Sequence, residues 1–376
     1  MKLCVFPNDP IISYYNKGEI KKRYYNPCNI FDELHIISFI EKDVEESKVQ
    51  TIAGNAKFKI HDVGNVNLRN YLMNMGRIKE LVKTIKPDII RAYNPLVEGW
   101  FASICAEELK IPFYVSLHTQ YDYLRKLYKK SNFKRYLGLK YTEKFIEPFV
   151  LRAAQKITIV YKIIEPYVIK HGGKKPELLY NRINYDQFSK ASPIESLKTP
   201  LVISVGRLTE SKNHQCIIEA MRKIDANYLI IGNGVLYDKL ISFIQKERLS
   251  DKITIKKSIP NNEIQNYYKS AQVFALAYDT ELEGLPIPVI EAMATGLPVV
   301  IPFPKSGYSD GLEGVAIFSE RDPSSFAQNI NKLLHDSKLR NELSLKSLHK
   351  AKEFDNSIIE KREAEIYAEL IASNKK

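Results

Sequence analysis

The chain has 376 residues, 44% hydrophobic and 27% charged, which exceeds one ordinary core, predicts two domains and excludes extended disorder. Its net charge is +12, and the whole excess lies in residues 1–190, with 32 basic against 20 acidic residues, while residues 191–376 hold 24 of each. That asymmetry argues against a uniform polyanion binder and for one domain that faces an anionic partner or surface.

KLCVF, at the very start of the chain, predicts a first strand with no apolar signal-peptide core before it. ELHIISFI (33–40), PDIIRA (87–92), PFYVSLH (112–118), KITIV (156–160) and ELLY (177–180) predict further strands, with helices between them. Gly18, in NKGEI, is the glycine expected in the first strand-to-helix turn. His118 ends the strand FYVSLH and so is expected to point towards a ligand cleft.

From Tyr121 the chain reads YDYLRKLYKKSNFKRYLGLKYTEKFIE, in which Arg125, Lys126, Lys129, Lys130, Lys134, Arg135, Lys140 and Lys144 interleave with aromatics and leucine. A basic helical segment with aromatics is the pattern of an interfacial contact with an anionic membrane. It reads equally as a solvated face whose lysine stems cover a core. Apolar density falls from Asn184 to Pro200, which marks a linker.

In the second half, short apolar runs alternate with helical patterns: LVISV (201–205), a helix from His214 burying Ile217, Ile218, Met221 and Ile224, NYLII (227–231), KITI, a helix near 262–271, VFALA, a helix near 287–295, and VVIP. This is the grammar of a parallel sheet covered by helices on both faces. A last helix from Asp355 to Ala372 has Ile358, Ile359, Ile366 and Leu370 to bury. The expected division is 1–190, 191–350, and a C-terminal stretch 351–376 that packs back on the first domain.

Ligands of such sheets bind at the carboxyl ends of strands. There, VGRLTESKN offers Gly206 for a tight turn, Arg207 and Lys212 as two cations, and Asn213 as a cap for the following helix. This loop fits a diphosphate site, and fits a solvated surface turn as well. IGNG places Gly232 and Gly234 at the next turn, a weak signal alone. TELEGLPIPVIEAMATGLPVV (280–300) carries Glu281, Glu283 and Glu291 in an otherwise apolar setting. Pro286 and Pro288 are expected to hold 284–288 out of regular structure, with Glu291 near the start of the next helix, where a carboxylate gains roughly 0.3–1 kcal/mol from the macrodipole. Carboxylates are also suited to gripping vicinal hydroxyls. Glu281 reads as a surface residue.

SVGRLTESKN combined with Glu283, seven residues, then Glu291, Ala292, Met293, Ala294, Gly296 and Pro298 resembles the retaining glycosyltransferases of family 4. The resemblance implies the GT-B fold, an α/β architecture of two Rossmann-like parallel-sheet domains facing across a cleft. It implies a nucleotide-diphosphate sugar donor held by the C-terminal domain, and a glycan or lipid-linked acceptor. Arg207 and Lys212 would bind the diphosphate, Glu283 would sit at the donor sugar and Glu291 at the ribose. The backbone around Leu285, Pro286 and Ile287 would line sugar and phosphate, the backbone near Ile259 the base, and His118 would lie near the donor sugar. Neither metal nor other cofactor is implied, and the chain has no Asp-x-Asp pair. The first turn lacks the family's paired glycines, and YNRINYDQF replaces its Asn-Gly-Val-Asp, keeping Asn181.

Four scattered cysteines, Cys4, Cys28, Cys105 and Cys216, lack zinc or redox spacing and fit a reducing cytoplasm. No run reaches the roughly 18 apolar residues of a membrane span. The expected location is therefore cytoplasmic, with a peripheral membrane contact through the basic segment. Two rival readings are a sugar-nucleotide epimerase and a non-catalytic nucleotide-sugar or polyanion binder. Nucleic acid is disfavoured by the lack of any recognisable module for it.

Overall fold

The computed structural model describes residues 1–304 and 307–374. It divides into two compact units, one of Met1–Tyr180 with the chain from Ile359 on, the other of Asn181–Ile358. The last two residues of the expected C-terminal stretch, 375–376, lie outside the described ones.

The first unit is built on a seven-stranded sheet of β1 (Lys2–Phe6), β2 (Glu33–Ser38), β3 (Lys57–Asp62), β4 (Ile89–Ala92), β5 (Phe113–Leu117), β6 (Lys156–Ile159) and β7 (Glu177–Leu178), in the order β3-β2-β1-β4-β5-β6-β7. The pairs are parallel throughout. Five of the predicted strands are buried on both faces, as their apolar runs require, and β7 is a two-residue edge piece. β3, KFKIHD, is absent from the sequence reading because it is an edge strand with charges at alternate positions, the usual protection of an open edge.

The second unit carries β8 (Leu201–Val205), β9 (Asn227–Ile231), β10 (Ile253–Lys256), β11 (Val273–Ala275), β12 (Val299–Pro302) and β13 (Ile317–Ser319), all parallel, in the order β10-β9-β8-β11-β12-β13. LVISV, NYLII and VVIP match their strands residue for residue. The three-residue β13 was too short to signal itself. Val202, Ile217, Ile218, Met221, Ile230, Phe326 and Ile330 form one core between this sheet and its helices.

Both sheets reverse their strand order at one place, between β1 and β4 and between β8 and β11. At such a switch point, successive connections leave in opposite directions and open a crevice at the carboxyl ends of the two strands.

The last helix, Asn356–Asn374, packs its Ile359, Ile366, Tyr367, Leu370 and Ile371 into the first unit's core. Ile358, expected to be buried there, is 53% exposed. A buried cation fixes this helix: Arg91 on β4 donates to Tyr367 Oη at 2.7 Å and to Ser116 Oγ at 2.7 Å, is paired with Glu363, and stacks on Tyr93 and Tyr114.

The basic stretch becomes three helices, Tyr121–Ser131, Phe133–Phe145 and Glu147–Ala153. Arg125 departs from the outward orientation expected of it. It is buried, with its Nη1 2.9 and 3.0 Å from the two Glu147 carboxylate oxygens and its Nη2 2.7 Å from Asp122 Oδ1. An unpaired guanidinium could not be desolvated at that depth, so this pair is structural. No helix among the described residues is long and apolar enough to cross a membrane.

Candidate functional site

The loops after β8 and β11 leave from the second sheet's switch point, and backbone hydrogen bonds lock them together. Asp279 donates its N–H to Ser211 O at 2.8 Å, and its own carbonyl accepts the N–H groups of Leu282 and Glu283 at 3.1 Å. Its carboxylate takes the N–H of Glu281 at 3.1 Å and lies 3.5 Å from Arg321, which also donates to Ala277 O at 2.8 Å. This turn delivers Glu283 to Lys212, whose Nζ donates to Glu283 Oε2 at 2.6 Å. Lys212 is buried and Glu283 largely so, with side-chain exposures of 7% and 17%.

Arg207, from the same loop as Lys212, is exposed. The loop therefore presents one cation already neutralised by a carboxylate and one directed to solvent. Gly206 sits beside Lys212: a Cβ there would lie 3.6 Å from Lys212 Cδ.

Gly232 and Gly234 have a packing role. A Cβ on Gly232 would fall 1.9 Å from Gly206 O, and one on Gly234 2.5 Å from Leu208 O. The two loops run edge to edge, with Gly206 N–H donating to Ile231 O at 3.0 Å and Leu208 N–H to Asn233 O at 2.9 Å. Only glycine permits backbones to approach so closely.

Helix Ile287–Ala294 begins after Pro286, with Pro288 inside its first turn, a position that tolerates proline because the N–H there has no intrahelical partner. Its amino end carries no side-chain cap and no acid in its first turn. Glu291 thus lies in the second turn, not at the helix start, and the macrodipole does not account for it. Its Oε2 instead accepts a hydrogen bond from the buried Tyr268 hydroxyl at 2.9 Å, and the nearby carboxylate joins burial in raising that phenol's pKa. Leu285 is buried, Ile287 partly so, and Ile259 lies half-buried in the loop after β10. Glu281 is partly buried beside Asp279, with less exposure than a surface residue would have.

Asn213 takes the position expected of a cap, but in the left-handed region at φ 47°, and its side chain makes no capping bond. The residue that sequence reasoning passed over is its neighbour His214, 2% exposed, with neither ring nitrogen hydrogen-bonded. Burial first, then the Lys212 charge, hold its pKa down to about 4; the backbone of Gly206 and Arg207 opposes this weakly. Tyr268 and Arg321 were also missed, for they lie 23 and 42 residues from the carboxylates they serve, Glu291 and Asp279, and no local pattern marks them.

Two predicted residues belong to the first unit. His118 follows β5, half-buried, with its ring 5.7 Å from that of Tyr93, and burial and Arg91 hold it neutral with a pKa of about 4. Gly18 is not in the first strand-to-helix turn, which is Pro7–Asn8–Asp9–Pro10. It follows helix Ile11–Asn16 at φ 68°, and its N–H closes the helix end on Tyr15 O at 3.0 Å, the ordinary task of a left-handed glycine. At that sheet's own switch point lies an acid the sequence reading missed, Glu98, hydrogen-bonded to Asn94 and pushed by burial up to about 7.

The family model for glycosyl transferases group 1 matches residues 186–348. An N-acetylgalactosamine-N,N'-diacetylbacillosaminyl-diphospho-undecaprenol 4-alpha-N-acetylgalactosaminyltransferase of Campylobacter jejuni is 33% identical over 189 residues, 48% of this chain and 50% of that protein. The match thus spans about half of that relative's length. A glycosyltransferase structure from Rickettsia africae superposes with a TM-score of 0.74 at 17% identity, covering 98% of each chain. Anabaena Alr3699/HepE in complex with UDP and glucose gives a TM-score of 0.71 at 14% identity, covering 98% of this chain and 99% of that one. At those identities the likeness is one of fold. The motif, the two parallel sheets and the family match agree: residues 186–348 resemble the glycosyl transferases group 1, and the chain has the GT-B fold of two Rossmann-like domains.

Proposed function

We propose that the chain is a retaining, metal-independent glycosyltransferase that moves a sugar from a nucleotide-diphosphate donor to a glycan or lipid-linked acceptor. The observation that carries this reading is the Lys212–Glu283 pair, 2.6 Å apart at the carboxyl ends of the two strands flanking the switch point. Support for the donor class comes from the HepE complex, which holds UDP and glucose. Support for the acceptor class comes from the Campylobacter relative, whose name specifies a diphospho-undecaprenol substrate.

In this reading Arg207 and Lys212 take the diphosphate. As the glycosidic bond breaks, negative charge gathers on the leaving nucleoside diphosphate, and cations fixed in advance lower the barrier without reorganising. Lys212 then turns from Glu283 to phosphate, which releases the Glu283 carboxylate for a donor-sugar hydroxyl. Glu291, oriented by Tyr268, accepts from the ribose, and the backbone at Leu285, Ile287 and Ile259 lines the remaining donor groups. The enzyme works in the cytoplasm, peripheral to the membrane that displays its acceptor.

A panel of nucleoside diphosphates and their sugars, with and without EDTA, tests the reading by thermal shift. A ligand at 100 times its Kd stabilises by about 2.7 kcal/mol, so one base should raise the Tm of the second unit by several degrees, equally in EDTA. A panel in which no nucleotide shifts the Tm would remove the donor site.

A further inference from the structure

Helix Phe133–Phe145 and its continuation Glu147–Ala153 expose a large apolar side chain at every fourth residue: Phe133 at 61%, Leu137 at 54%, Tyr141 at 41%, Phe145 at 55% and Phe149 at 39%. Side chains four apart in a helix are neighbours on its surface, so successive members of the row adjoin in a stripe that winds along the helix ridge. Scattered apolar residues on a surface need no explanation, but a contiguous row does.

The setting of the stripe is cationic. Lys134, Arg135 and Lys144 are exposed on the same helix, and Lys126, Lys129 and Lys130 on the preceding helix Tyr121–Ser131. The three acids of residues 121–152 are turned to internal partners: Glu147 and Asp122 to the buried Arg125, and Glu143 to Lys140, Lys170 and Arg125. At the Phe145–Phe149 end the stripe runs into a cavity of about 680 Å³, lined among others by three cations, Lys110, Lys144 and Arg152, one acid, Glu107, and Phe145 and Phe149.

We propose that this stripe and its basic cavity are a docking surface for an anionic lipid bilayer, with the aromatic row seated in the headgroup boundary and a phosphate-bearing headgroup in the cavity. An apolar row alone would suit a protein partner or a second copy. What selects the bilayer is the surplus of outward cations, which matches a surface of anionic headgroups, while the apolar row matches the acyl boundary beneath it. The surface deepens the peripheral placement proposed above, and rests on that reading for its purpose.

Flotation of the full chain with vesicles tests it independently of any transfer reaction. Binding is expected to vesicles of phosphatidylglycerol with phosphatidylcholine, to weaken as salt is raised, and to be lost with phosphatidylcholine alone. The Lys110→Ala/Lys144→Ala/Arg152→Ala variant should lower partitioning on the order of 100-fold, at a factor of about five per cation. Phe133→Ser/Phe145→Ser should lower it by at least about 10-fold. Equal binding to neutral vesicles, unchanged flotation of either variant, or a wild-type dimer that the serine variant dissolves would overturn the proposal. Nucleotide binding measured alongside separates the two readings. Loss of flotation with intact nucleotide binding is expected of the variants, whereas failure of the wild type to bind nucleotide strikes the donor site and leaves the docking surface standing.

Discussion

Lys212 and Glu283 are 71 residues apart in sequence and 2.6 Å apart in the fold. Neither residue alone distinguishes a ligand site from a solvated loop. Their meeting depends on a backbone hydrogen bond from Asp279 to Ser211 and on the adjacency of β8 and β11, so the pair is set by topology.

Gly232→Ala should disrupt the site without touching any ligand. The added Cβ would sit 1.9 Å from Gly206 O, and the loops can accommodate it only by separating. Overpacking of this kind costs about 1–3 kcal/mol, and the displaced Gly206–Lys212 loop should weaken nucleoside diphosphate binding as well. Calorimetry and chemical denaturation check both effects, and a variant with native stability and affinity would show that the close approach is not needed.

Tyr268→Phe removes the hydroxyl that orients Glu291. A hydrogen bond to a charged group contributes about 1.5–3 kcal/mol, so the Kd for the cognate nucleotide should rise on the order of 10-fold. Steady-state kinetics should place the effect in KM with kcat little changed, because in the proposed reading the contact serves binding of the ribose.

His214 predicts a pH dependence of stability. Its folded pKa of about 4 lies below its ordinary value of 6.5. Between those values the unfolded chain binds a proton that the folded chain refuses. Stability from this group is therefore full above pH 6.5, falls as pH drops towards 4, and levels off below it, with a slope of up to about 1.4 kcal/mol per pH unit. Urea denaturation across pH 4–7 should show a shallower decline in His214→Gln than in the wild type, and parallel curves would contradict the assignment.

How much of this was legible in the sequence follows from how local each signal is. LVISV, NYLII and VVIP are strands buried on both faces, and a run of apolar residues suffices to announce them. β3 is half charged because it is an edge, so the same criterion passes over it. The Glu283-to-Pro298 motif carried the family, since its residues sit in one loop and one helix. Arg125 misled because a run of cations in sequence does not say which one points inward; that depends on Glu147, 22 residues on, and on the Tyr167 hydroxyl bonded to it. Gly18 misled because the turn it was expected to serve lies earlier, at Pro7–Pro10. Tyr268 and Arg321 act through partners brought close only by the fold, His214 is distinguished only by its burial, and no single-sequence pattern reports either.

The central claim is that Glu283, released from Lys212, meets the donor sugar during transfer. Turnover of the nucleotide sugar identified by the binding panel, measured for wild type and Glu283→Gln with nucleoside diphosphate affinity recorded in parallel, tests it most directly. The account predicts that the variant binds the nucleoside diphosphate within a few-fold of wild type and loses on the order of 100-fold or more in kcat. Undiminished turnover in Glu283→Gln would contradict it.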